Sequence, residues 1–105
     1  MAVRSAGLPG ALNATADLIV NSTNTGTVGA VTINNNSGRV NIAAAGSSVV
    51  VTCNKCTTAS HVFASLQTVD ATAKSCAATS GNGSFTITLN AAATAQVAID
   101  FLVVN

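Results

Sequence analysis

SFTITLN (84–90) and AQVAIDFLVVN (95–105) decide how this chain folds. In the first, Phe85, Ile87 and Leu89 alternate with Ser84, Thr86 and Thr88. A period of two puts each set on one face of a strand, so the segment predicts a half-buried strand of an antiparallel sheet. In the second, Val97, Ile99, Phe101 and Val103 form one face. The other face, Ala98, Asp100, Leu102 and Val104, is also largely apolar. A strand with two apolar faces is either central in the fold or sits at a subunit interface.

Upstream, segments rich in Val, Ile, Thr and Phe recur between Gly, Asn and Ser clusters, the pattern of strands and turns. The expected strands are 16–22 (ADLIVNS), 28–34 (VGAVTIN), 39–43 (RVNIA), 48–53 (SVVVTC) and 61–68 (HVFASLQT), with a weaker one at 71–78 (ATAKSCAA). NNNSG (34–38) and SGNG (80–83) read as turns. Seven or eight short strands at this spacing predict an all-β, antiparallel β-sandwich of jelly-roll type over residues 16–105. Asn90 followed by an alanine run offers a short helix over 90–98 as the alternative, but the apolar period does not carry into the last strand. Residues 1–15, MAVRSAGLPGALNAT, show no period and read as an extended N-terminal arm.

Composition narrows the function. The chain has 105 residues, 49 % hydrophobic but only 7 % charged, against a usual charged level of about 25 %. Ser, Thr and Asn make up a third of it and supply the polar surface. Twenty residues are Ala and three are aromatic, Phe63, Phe85 and Phe101. Such a core is thin, and a nearly uncharged surface resists association poorly. Both features predict a chain that completes its burial against copies of itself or a partner. A net charge of +1, with Arg4, Arg39, Lys55 and Lys74 scattered, argues against a nucleic-acid partner. No apolar run is long enough to span a membrane as a helix, and no signal peptide is read at the N-terminus.

Cys53, Cys56, His61 and Cys76 have the count of a zinc site but lack the second close pair. A thioredoxin-like role would need the C-x-x-C at a helix N-terminus, which this pattern does not offer. The simplest reading is free thiols acting as small buried hydrophobes, with NKC as a turn between VVVTC and SHVFA. A disulfide joining Cys76 to Cys53 or Cys56 stays open, with Cys56–Cys76 the candidate pair. His61 is the only histidine, and Asp17, Asp70 and Asp100 are the only acids. No spacing brings them into a catalytic arrangement, so no catalytic residue, metal ligand or cofactor is assigned. The sequons at Asn13, Asn21, Asn35 and Asn82 are expected by chance in this composition.

TVGAVTINNNSGRVNIAAAG, GRVNIAAAGSSVVVT (38–52), SHVFASLQTVDATAK (60–74) and GSFTITLNAAATAQVAIDFLVVN (83–105), in that order, resemble a small β domain of tailed-bacteriophage virion proteins. It occurs there as a short stand-alone protein and as the C-terminal domain of fibre-like chains. The resemblance covers about residues 26–105 and departs from the family at Cys53 and Cys56. It implies a β-sandwich that assembles as a homotrimer in a virion and brings no catalytic motif. With only a short arm before the domain, a capsid decoration or cement protein is expected, made in the host cytoplasm and seated on the capsid surface. Its partner would be the major capsid protein, bound at several points at once. Arg4, Leu8, Pro9 and Leu12 are the candidate capsid contacts. Asp100, Leu102 and Val104 are the candidate trimer interface. The alternative within the class is a tail-fibre tip or host adhesin, which would favour exposed aromatics. A small zinc-binding or hydrolytic protein is the remote one.

Overall fold

The computed structural model describes residues 21–105, and every structural statement below concerns these. Eight strands are described: β1 (Ser22–Val28), β2 (Val31–Thr32), β3 (Ser37–Ile42), β4 (Ser48–Thr52), β5 (His61–Leu66), β6 (Cys76–Gly81), β7 (Ser84–Leu89) and β8 (Val97–Val104). They build two packed four-stranded sheets, ordered β1-β3-β8-β5 and β2-β4-β7-β6. The fold is all-β, and residues 90–96 form an irregular connection rather than a helix. The expected arm at 1–15, with Arg4, Leu8, Pro9 and Leu12, lies outside the described residues, as do positions 16–20 of the first expected strand.

The two strands that opened the sequence reading set the packing. Phe85, Ile87 and Leu89 of β7 are buried, as are Val97, Ile99, Phe101 and Val103 of β8. They face one another across the sandwich together with Val40 and Ile42 of β3 and Val49 and Val51 of β4. Phe85 and Phe101 meet at 4.8 Å between ring centroids, tilted by 56°, and so join the two sheets. This tilted arrangement is one that aromatic quadrupoles favour. Where large side chains run out, small ones close the core: Ala73, Ala93, Cys53 and Cys56 are all buried.

The antiparallel expectation needs correcting at two pairs. β8 pairs antiparallel with β3 and β5, and β7 with β4 and β6. But β1 lies parallel to β3, and β2 parallel to β4. The chain leaves the first sheet after β1, touches the second as β2 and returns as β3. A return crossing of this kind brings the strand back in its original direction. Only β6 and β7 are joined as a hairpin within one sheet. Its tip, Asn82-Gly83, is the turn expected at SGNG, with Gly83 at φ 78° where a side chain would be strained.

β1 was not expected as a strand: the expected strands at 16–22 and 28–34 reach only its end residues, Ser22 and Val28. Its sequence, STNTGTV, has no apolar alternation, and nearly every position is exposed. Main-chain pairing and one side chain hold it. Asn41, buried on the outer side of β3, donates from Nδ2 to the carbonyls of Thr25 (2.7 Å) and Thr27 (3.3 Å). These bonds satisfy the carbonyls that the bulge between Asn24 and Val28 takes out of the ladder.

Candidate interaction face

Strand register determines which side chains share the outer face of the first sheet. Leu102 lies opposite Ser37 on one side and Phe63 on the other. Val104 lies opposite His61, and Asp100 between Arg39 and Ser65. The three candidate interface residues therefore stand on one face, with Leu102 and Asp100 half-buried and Val104 exposed. β8 is a central strand, which is one of the two explanations for its double apolar pattern. Yet its second face is not covered by any other element among the described residues.

Phe63 was not singled out from the sequence, and it is the principal addition. Its ring is 61 % exposed, the largest exposed side chain of this face. β5 is an edge strand whose inward positions, Val62, Ala64 and Leu66, are only half-buried. The alternation in HVFASL sets Val62, Ala64 and Leu66 on one face and Phe63 on the other with His61 and Ser65, and the pairing of Phe63 with Leu102 puts that second face outside. Phe63, Ser65, Asp100 and Leu102 line a shallow depression of about 250 Å³ between β5 and β8.

Asp100 has a defined partner. Arg39 donates from Nε to Oδ1 at 2.6 Å and from Nη2 to Oδ2 at 3.1 Å, a bidentate pair. The hydrogen bond that Arg39 donates to the Asp100 carboxylate, followed by the carboxylate's charge, raises the Arg39 guanidinium pKa above its ordinary value. Both side chains remain about two-fifths exposed, so water screens the pair and its contribution to stability is small. Its effect is on the surface: it neutralises the two charges within the sheet's outer face.

The opposite outer face differs in kind. Ser48, Thr88 and Ala77 form one row across the second sheet, Val50, Thr86 and Thr79 the next, and Thr52, Ser84 and Gly81 the third. Val50 is its one exposed large hydrophobic residue. Hydroxyl side chains dominate there, while the first sheet carries Phe63, Leu102 and Val104 together at one end.

The cysteines lie away from this face. Cys53 and Cys56 flank a turn closed by the Cys56 N–H on the Cys53 carbonyl at 3.2 Å, and both side chains are buried. The turn packs on the β6–β7 hairpin tip: the Cys53 N–H donates to the Gly83 carbonyl and the Gly83 N–H to that of Cys56. Cys76 begins β6, at the far end of the same hairpin. Five strand residues, about 17 Å, separate that end from the tip, and a disulfide needs Cα atoms within about 7 Å. None of the three cysteines is bridged in the structure, and Cys56 and Cys76, the candidate pair, stand at opposite ends of the hairpin. Burial pushes the Cys76 thiol pKa up, partly offset by a hydrogen bond with the Leu66 backbone. Among the described residues no three His, Cys, Asp or Glu side chains gather as a metal-binding group.

Nor, among the described residues, does the fold bring His61 to an acid. Asp100 is four residues from Val104, the strand partner of His61, or about 13 Å along β8. Asp70 lies past the other end of β5, and its carboxylate is fully engaged. It accepts from the N–H groups of Thr72 (3.0 Å), Ala73 (2.9 Å), Thr94 (3.1 Å) and Ala95 (3.3 Å) and from the Thr94 hydroxyl (2.6 Å). The Ala73 N–H, then the Thr94 hydroxyl, hold its pKa far below the ordinary carboxylate range. Asp70 clamps the 67–75 and 90–96 connections together; its lone pairs have no room for a proton-transfer role.

Comparison of the chain with protein-family models, curated proteins and solved structures finds no match.

Proposed function

We propose that this chain is a non-enzymatic virion structural protein of a tailed bacteriophage. In this reading it is a homotrimeric capsid decoration protein whose jelly-roll-like sandwich sits on the capsid surface and bridges major capsid subunits. The observation that carries the reading is the one-sided surface: Phe63, Leu102 and Val104 stand together on the outer face of the first sheet, beside a neutralised Arg39–Asp100 pair. Exposed apolar clusters on a domain with so little charge favour self-association. The sequence resemblance over residues 26–105 supplies the virion context. Three copies held together would present three sets of capsid contacts at once, so weak single contacts add to a tight one.

Exposure of the Phe63 ring next to Asp100 and Ser65 also favours the second reading, a tail-fibre tip whose aromatic face stacks on a host glycan. Co-sedimentation separates the two. The purified protein is mixed with capsids lacking it and, separately, with host cells. The decoration reading requires a native mass of three chains and saturable binding to the capsids. Binding to cells alone supports the adhesin, and a monomer that binds neither removes both.

A further inference from the structure

We propose that the apolar end of the first sheet's outer face receives Leu18, Ile19 and Val20 of a second copy, so that each copy's residues 16–20 lie across the next copy's Phe63, Leu102 and Val104. This rests on the homotrimer proposed above and names the contact that closes it.

Size is the first consideration. Phe63 is 61 % and Val104 41 % exposed, and Leu102 is half-buried. Together they offer on the order of 250 Å² of apolar surface, with an aromatic side chain counted at roughly 200 Å². A stable interface buries about 800 Å² on each partner. The patch therefore needs an occupant that brings apolar surface from outside the described domain, and ADLIV (16–20) is the apolar segment next to it in the chain.

Symmetry is the second. A patch that packs on its own copy closes a two-fold pair, whereas a three-fold ring needs two different surfaces in contact. The outer face of the second sheet, lined with hydroxyls, is a poor complement. An apolar strand-like segment is a good one.

The path of the chain is the third. Ser22 begins β1 in the same row as Ser37, Leu102 and Phe63, so β1 starts at the apolar end of the sheet. The Asn21 carbonyl accepts from the Ser37 N–H (3.3 Å) and the Ser37 hydroxyl (3.1 Å). Those bonds keep the chain in line with β1 through residue 21. Three strand spacings, about 14 Å, separate the β1 and β5 positions of that row. Five extended residues span about 16 Å, enough to cross it.

The test uses the full chain with Phe63→p-benzoylphenylalanine, prepared in light and heavy isotopic forms, mixed after denaturation, refolded, irradiated and mapped by mass spectrometry. Cross-links from position 63 to residues 16–20, joining light to heavy chains, are expected. In parallel, the triple variant Leu18→Ser/Ile19→Ser/Val20→Ser and the single variant Phe63→Ser are sedimented over a range of concentrations. The single variant is expected to weaken the trimer by roughly tenfold or more and the triple variant by roughly 100-fold or more, since each apolar side chain returned to water is worth about a tenfold factor or more. Circular dichroism checks that the variants keep their sheets, and the cross-linking result stands even if one does not fold. Cross-links confined to a single chain, links from 63 to 63, or an undiminished trimer in the triple variant would overturn the inference while leaving the trimer standing. An unmodified protein that stays monomeric at every concentration would remove the trimer itself.

Discussion

Exchanging the two core rings for leucine, singly and together, tests the packing most directly. Phe85 and Phe101 belong to different sheets, both are buried, and their centroids lie 4.8 Å apart. Each Phe→Leu change removes ring atoms from a core otherwise built of Val, Ile, Ala and Cys. The lost transfer energy plus the space left behind is about 1–2 kcal/mol per site, since small neighbours cannot collapse onto it. The rings also interact with each other, by about 0.5–1.5 kcal/mol beyond area burial. The double variant Phe85→Leu/Phe101→Leu should therefore lose less than the sum of the singles by that coupling. Phe63→Leu, on the outer face, should change stability by no more than about 0.5 kcal/mol. Urea unfolding at a protein concentration low enough that the chain is monomeric measures all four, which keeps any change in self-association out of the comparison. Additivity within about 0.3 kcal/mol would mean the rings do not touch. A Phe63→Leu loss as large as either core change would mean the faces of β5 have been read the wrong way round.

The remaining predictions concern the loops, the first strand and the thiols. Because Asp70 titrates far below an unfolded carboxylate, its contribution is present at neutral pH and is lost as pH falls below about 4; Asp70→Asn should lower the urea midpoint at pH 7 and flatten its decline toward pH 3, and a decline parallel to the wild type's would refute the clamp. Gly38→Ala would place a Cβ against the Thr23 carbonyl oxygen and 3.1 Å from the Phe101 ring. It should cost about 1–3 kcal/mol and raise hydrogen exchange over β1 first; unchanged exchange there would contradict the β1–β3 register. Alkylation without reductant should label none of Cys53 and Cys56 in the native protein and all three cysteines after unfolding; a single labelled cysteine in the unfolded chain would reveal a disulfide.

Period-two alternation in β7 and β8 was enough to place both strands and their buried faces, because a face that meets the core must repeat every second residue. The Asn-Gly turn between β6 and β7 was legible for a similar reason: only certain residues accept its backbone angles. Leu102 and Val104 could be nominated for an interface because they add apolar character where a half-buried strand needs none. Composition foretold a small-residue core, which Ala73, Ala93, Cys53 and Cys56 complete.

Other features depend on partners distant in the chain. β1 has no alternation to read, since its stability comes from main-chain pairing with β3 and from Asn41, sixteen residues from Thr25. Its parallel direction follows from the crossing through β2, which no local pattern encodes. Phe63 shares its face of HVFASL with His61 and Ser65, and only the register with β8 sets the ring beside Leu102. Cys56 and Cys76 look bridgeable in a list of three cysteines, but they stand at opposite ends of one hairpin. The sequence by itself thus determined the alternating strands and which of their faces are apolar, because those are properties of neighbours a few residues apart. Tertiary structure alone decided which strands pair, in what direction, and which apolar side chains remain at the surface, because pairing is a matter of distances between residues that the chain keeps far apart.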